Sequence, residues 1–223
     1  MTKVRACVFD AYGTLFDVHS AVRRHATEIG AAADALSQMW RTKQLEYTWV
    51  RSLMKRHADF WVCTGDALAF ALAAHGLDGR GGLAARLLDA YRELSLYPEV
   101  RDVLEGLVAD GIKIAVLSNG TPGMLRAAAR SAGLDDLDMP LLSVEPVGIY
   151  KPDPRVYQFA VDALGVAPSE ISFQSSNAWD IAGADAFGFR TVWINRSRQP
   201  AEYGPHGTVT VGALDELPGV LAD

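Results

Sequence analysis

Val8-Phe9-Asp10-Ala11-Tyr12-Gly13-Thr14 ends an apolar run, begun at Val4, in an acid and a glycine-bearing turn. Such a run reads as a strand buried on both faces, the habit of parallel sheets. Similar runs recur at residues 112–117, 170–173 and 191–194. Helical patterns lie between them, at 100–110, 123–132, 154–164 and 180–187. Strand and helix in alternation predict an α/β fold with a doubly wound, Rossmann-like parallel sheet. Residues 17–96 break the alternation. They carry helical patterns at 21–30, 35–57, 66–75 and 82–94, punctuated by Gly30, Gly65, Gly76 and a glycine cluster at 79–82. No strand is expected there. The predicted organisation is a core built from residues 1–16 and 97–223, interrupted by an all-helical cap at 17–96.

Bulk composition limits the partners. Of 223 residues, 49% are hydrophobic, enough for a sizeable core. A net charge of −6 argues against nucleic acid or an anionic membrane as the main partner. It leaves room for a small anion held in a local positive pocket. Two cysteines, Cys7 and Cys63, provide no disulfide framework and fit a reducing, cytoplasmic setting. Lys3 and Arg5 lead directly into the first strand, without the layout of a signal peptide. No apolar stretch reaches the ~18 residues of a membrane span.

In an open parallel sheet, the carboxyl ends of the strands converge on one crevice. The first tip brings Asp10 and Thr14, and the second Ser118-Asn119-Gly120. Lys151 stands in Tyr150-Lys151-Pro152, just before a helix, and the last tip is Ser175-Ser176-Asn177-Ala178-Trp179-Asp180. Read singly, Ser118 and Asn119 also suit a helix cap. Lys151 also suits an exposed turn, and Asp180 a charge complementing a helix N-terminus. Asp10 is harder to explain structurally, because a buried unpaired carboxylate is costly. In this place it is a candidate nucleophile. Two residues on stands Tyr12, where a Mg²⁺ site would want a second acid. In the helical segment, Arg41, Leu45 and Trp49 recur every four residues and share one face. Alone, Arg41 also suits a side chain snorkelling from the edge of an apolar stripe. Above polar tips of this kind, the stripe is expected to close over the crevice.

Together these residues resemble the haloacid dehalogenase superfamily, and within it the L-2-haloacid dehalogenases. The matching pieces are residues 9–18 (Phe-Asp-Ala-Tyr-Gly-Thr-Leu-Phe-Asp-Val), 39–41 (Met-Trp-Arg) and 43–49 (Lys-Gln-Leu-Glu-Tyr-Thr-Trp). Ser118-Asn119-Gly120, Tyr150-Lys151-Pro152 and the run 175–180 complete them, so the likeness spans essentially the whole chain. The resemblance implies hydrolysis of (S)-2-haloalkanoic acids to (R)-2-hydroxy acids and halide, with inversion, through an ester on Asp10. It implies no metal or other cofactor, a small-molecule haloacid as substrate, and a homodimer.

The same resemblance implies roles for single residues. Ser118, the backbone near Ala11, Tyr12 and Asn119, and the charge of Lys151 are expected to hold the substrate carboxylate. Lys151 is also expected to keep Asp10 ionised. Arg41, Asn119 and Trp179 are expected to cradle the departing halide. Leu45, Phe60 and Trp179 are expected to wall the alkyl group. Asp180 is expected to activate water, ordered by Ser175 and Asn177, with Thr14 and Tyr157 supporting Asp10 and the hydrogen bonds around it. Thr42 departs from the pattern, since relatives often carry Gln there. A phosphatase of the same superfamily is the nearest rival and is disfavoured by Tyr12; a non-catalytic binding module is the other. His19, His25, His57, His75 and His206 fall outside the matched tips and receive no catalytic role.

Overall fold

The structure, a computed structural model, describes residues 3–204 and 207–222. In chain order the elements begin with β1 (Ala6–Phe9), β2 (Phe16–Asp17), α1 (Ser20–Arg23) and α2 (Ala26–Ile29). Next come α3 (Ala33–Leu53), α4 (Phe60–Ala74), α5 (Leu83–Arg92), β3 (Ser95–Leu96) and α6 (Val100–Ala109). Then follow β4 (Lys113–Ser118), α7 (Pro122–Ser131), β5 (Leu141–Ser143), α8 (Pro154–Leu164) and β6 (Ile171–Ser175). The chain closes with α9 (Ala178–Phe187), β7 (Arg190–Ile194), β8 (Val209–Val211) and α10 (Leu217–Ala222).

The sheet is six-stranded, in the order β5-β4-β1-β6-β7-β8, with every pair parallel. β1 is buried throughout, as its apolar run requires. Its register pairs Phe9 with Val116 on one side and with Gln174 on the other. Asp10, Ser118 and Ser175 therefore leave the sheet at the same edge. The chain runs outward from β1 in both directions, so this edge is also the topological switch point, where α/β sheets bind ligands. Cys7, a small core residue of β1, is free, and burial pushes its thiol up to about 12.

The helical stretch expected at 17–96 is present, with three corrections of detail. Its ends pair as a short antiparallel ribbon, Phe16 with Leu96 and Asp17 with Ser95, so the segment is not strand-free. The ribbon ties the way into the helices to the way out. Gly65 is no break either: α4 starts at Phe60 and runs through it. The Asp59 side chain caps that helix by accepting the Val62 N–H at 2.8 Å. The pattern at 21–30 divides into the short α1 and α2. In the sheet, β5 and β8 join as edge strands of three residues each, too short and too exposed to stand out as apolar runs.

Two glycines fit the site by backbone and by space. Gly13 turns the chain after Asp10 with φ +96°, a conformation that side chains rarely adopt. A Cβ on Gly120 would lie 2.6 Å from the Tyr12 ring, so Tyr12 packs directly on backbone there.

Candidate active site

Asp10 stands at the tip of β1, 5% exposed. Its two carboxylate oxygens are treated differently. Oδ2 accepts from Thr14 Oγ1 at 3.0 Å, Asn177 Nδ2 at 2.8 Å and Ser175 Oγ at 3.5 Å. Among the described residues, Oδ1 accepts only from the Lys151 ammonium, at 3.2 Å. Lys151 is fully buried in its side chain, which excludes the exposed-turn reading. Its ammonium also lies 2.8 Å from Asp180 Oδ2, so one cation joins two carboxylates. The Asn119 side chain accepts the Lys151 backbone N–H at 3.1 Å and holds that turn in place.

Asp180 lies in the first turn of α9, yet it is wholly buried rather than a surface charge. Its Oδ1 accepts the Tyr157 hydroxyl at 2.8 Å. Burial pushes its carboxyl up to about 6, and Asp10 adds to the rise against the opposing pull of Lys151. Tyr157 therefore supports Asp180 rather than Asp10. Ser175 and Asn177 differ in the opposite direction: their side chains reach Asp10, while Asp180 is held by Lys151 and Tyr157.

Ser118 and Asn119 do not cap α7. Thr121 does, taking the Met124 N–H at 3.2 Å. Ser118 Oγ instead accepts the Gly120 N–H at 3.0 Å, which shapes the loop. Among the described residues no acceptor takes the backbone N–H of Ala11, Tyr12 or Asn119. Unpaired N–H groups at strand tips are suited to an anion.

Arg41 reaches the tips from α3. Nη2 donates to the Tyr12 carbonyl at 3.0 Å and lies 3.4 Å from Asn177 Oδ1, and Nη1 donates to Gln44 Oε1 at 2.9 Å. None of its hydrogen bonds goes to Asn119. Arg41, Leu45 and Trp49 are each half-buried, as expected of one stripe at a crevice. The fully buried stripe is the adjoining one of Leu36, Trp40, Gln44 and Thr48. Trp49 meets Trp179 edge-on at 5.4 Å. Phe60 is buried against Tyr12, with centroids 5.7 Å apart.

Two openings flank this cluster. One, about 800 Å³, is lined by Trp49, Ile149, Tyr150, Pro152 and Trp179 and reaches Lys151. The other, about 200 Å³, is lined by Arg41, His19, Gly13, Ser176 and Asn177. His19 thus stands beside Arg41, which sequence spacing gave no reason to expect, whereas His206 lies outside the described residues.

The donor set around Asp10 does not suit a hard cation. Tyr12 replaces the second acid, and its carbonyl is already covered by the Arg41 guanidinium and by the Asn177 amide at 3.4 Å. Among the described residues, no group of three or more His, Cys, Asp or Glu is placed to hold a metal.

The family profile of the haloacid dehalogenase-like hydrolases matches residues 4–188. The chain belongs to this family. Within it the likeness is to (S)-2-haloacid dehalogenases. (S)-2-Haloacid dehalogenase 4A of Burkholderia cepacia is 56% identical over 90% of this chain and 87% of its own length. (S)-2-Haloacid dehalogenase 1 of Pseudomonas sp. (strain CBS-3) is 54% identical over 99% of this chain and 98% of its own. A solved L-2-haloacid dehalogenase of Xanthobacter autotrophicus with chloropropionic acid covalently bound superposes with TM-score 0.89, at 36% identity over 98% of each chain. A haloacid dehalogenase-like hydrolase with Tyr12 at its first tip and Arg41 above it is built for a substrate other than a metal-bound phosphate ester.

Proposed function

We propose that this chain hydrolyses (S)-2-haloalkanoic acids to (R)-2-hydroxyalkanoic acids and halide, through an ester on Asp10. The observation that carries the proposal is the unequal treatment of the Asp10 carboxylate. Oδ1 faces a single ammonium, and Oδ2 is gripped by three side-chain donors. The oxygen with lone pairs to spare, Oδ1, attacks the substrate Cα from the side opposite the halogen. The carbon–halogen bond breaks with its electron pair on the halide, and configuration inverts. Positioning of this kind supplies up to about 7–11 kcal/mol of the barrier.

The substrate carboxylate sits on the N–H groups of Ala11, Tyr12 and Asn119, with Ser118 and Lys151 beside it. The halide leaves toward Arg41, with Asn119 and Trp179 completing the cradle, and Leu45, Phe60 and Trp179 wall the alkyl group. Water then attacks Cγ of the ester, and the Cγ–Oδ1 bond breaks, so that Oδ1 leaves as the hydroxyl oxygen of the product and takes up the proton that Asp180 removed from the water. Negative charge gathers on Oδ2, where Thr14, Asn177 and Ser175 already donate. Asp180 takes the proton of that water, and Tyr157 fixes its orientation. The helical insertion at 17–96 acts as the cap that brings Arg41 over the tips. We further propose a homodimer through the outer face of α3, where Val50 and Leu53 are exposed, together with Met54 just beyond its end. A cytoplasmic setting accords with the two free cysteines. Among the described residues no helix is long and apolar enough to cross a membrane.

Release of chloride from each enantiomer of 2-chloropropionate, in buffer containing a chelator, tests the function. The expected result is release from the (S) form, undiminished by the chelator. Equal use of both enantiomers, or phosphate release dependent on Mg²⁺ in place of halide release, contradicts it.

The pH dependence follows from Asp180. Its carboxyl is a base only when ionised, so kcat is expected to fall on the acid side of about 6. Because the base acts after halide has left, the first-turnover burst of halide persists at pH values where steady-state turnover has dropped. A burst and a steady state falling together would remove Asp180 from the second half-reaction.

A further inference from the structure

Inside the helical insertion lies a buried polar cluster centred on Gln44, and it meets the first strand tip only through Tyr12. Gln44 is 1% exposed in the middle of α3. Its Nε2 donates to Thr64 Oγ1 at 2.7 Å, and Thr64 spends its own hydroxyl proton on the Phe60 carbonyl at 2.7 Å. The Thr64 oxygen must therefore accept, and this fixes which way the Gln44 amide points. Oε1 is turned toward the Arg41 guanidinium at 2.9 Å, and the Tyr91 hydroxyl lies across the amide, 3.1 Å from Nε2 and 3.2 Å from Oε1. Trp40 steadies the same turn of α4 by donating Nε1 to the Thr64 carbonyl at 2.9 Å. Tyr91 stacks on Tyr12 at 5.7 Å and 15°, and the Tyr12 carbonyl takes the other end of the guanidinium.

We propose that Gln44 is a positioning residue for Arg41, aimed in turn by Thr64 and Tyr91. An amide oxygen at this place holds one guanidinium N–H without cancelling its charge. A carboxylate would form a two-point ion pair and draw the fork away from the crevice. Three of the five N–H donors of Arg41 are met by Gln44, Tyr12 and Asn177, which leaves donors and an uncompensated charge for an anion. The aim of that charge is set several residues away from any reacting atom, by a neutral network with every partner supplied.

The proposal rests on the reading that Arg41 receives the halide, and the test separates the two. Single-turnover halide release is measured with (S)-2-chloropropionate and (S)-2-bromopropionate in the wild type and in Gln44→Met, Thr64→Val and Arg41→Ala. Chloride is the poorer leaving group and depends more on a well-aimed cation. Gln44→Met is expected to slow chloride release on the order of 10-fold, and bromide release less, so that the bromide-to-chloride rate ratio rises several-fold. Thr64→Val keeps the volume but frees the amide to turn, and it moves the ratio in the same direction by a smaller factor. It also preserves the test if Gln44→Met does not fold. A ratio that stays at the wild-type value in both variants, with both halides slowed equally, makes Gln44 merely a packing residue and overturns the proposal. A ratio unmoved in Arg41→Ala overturns the underlying halide role instead.

Discussion

Asp10→Asn is expected to lower steady-state halide release by at least ~10⁴-fold while the protein stays folded. The amide has no nucleophilic oxygen to form the ester, and water alone attacks an unactivated carbon–halogen bond slowly. Folding survives because Lys151 keeps its 2.8 Å contact with Asp180 when the Asp10 charge is gone. The comparison is of halide release against far-ultraviolet circular dichroism and Tm on the same sample. Activity within about 10-fold of wild type would mean that another group, or activated water acting directly on the substrate, performs the displacement.

Lys151→Met is expected to have the largest effect on stability. Removing the ammonium leaves two buried carboxylates facing each other with no cation between them. Breaking a buried pair by removing one partner costs about 3–5 kcal/mol. The loss has a definite pH dependence. Burial already raises the Asp180 carboxyl, and without Lys151 it rises further. A group raised in the folded state costs stability above its folded pKa and none below its unfolded value. The deficit is therefore largest at pH 8 and shrinks as acid protonates Asp180. Urea midpoints of the wild type and variant at pH 8 and pH 5 check this. A deficit that is the same at both values would mean that lost packing, not unpaired charge, governs it.

Much of this site was legible along the chain because each strand tip joins an apolar run to a polar residue, and that pattern survives without any coordinates. Asp10, Ser118 and Ser175 emerge from one sheet edge for this reason. The edge strands β5 and β8 were not legible, since three half-exposed residues carry no periodic signal. Gly65 misled because a glycine inside a helix looks like punctuation, whereas the start signal was Asp59 six residues earlier. The partition of hydrogen bonds was also hidden: spacing brings Tyr157, Ser175 and Asn177 to the site but does not say which carboxylate each one serves. Gln44 left a fainter trace. It is a polar residue four places from both Trp40 and Thr48, on the buried stripe of α3. Only Thr64 and Tyr91, brought in from α4 and α5, give it a purpose.

The ester on Asp10 is tested most directly with isotopically heavy water under single turnover, enzyme in excess over (S)-2-chloropropionate. The expected product of the first turnover carries light oxygen at C2, donated by Asp10, and the heavy oxygen is found in the peptide containing Asp10. Heavy oxygen at C2 of that first product, with an unlabelled Asp10 peptide, would show that water attacks the substrate carbon itself and would contradict the covalent route.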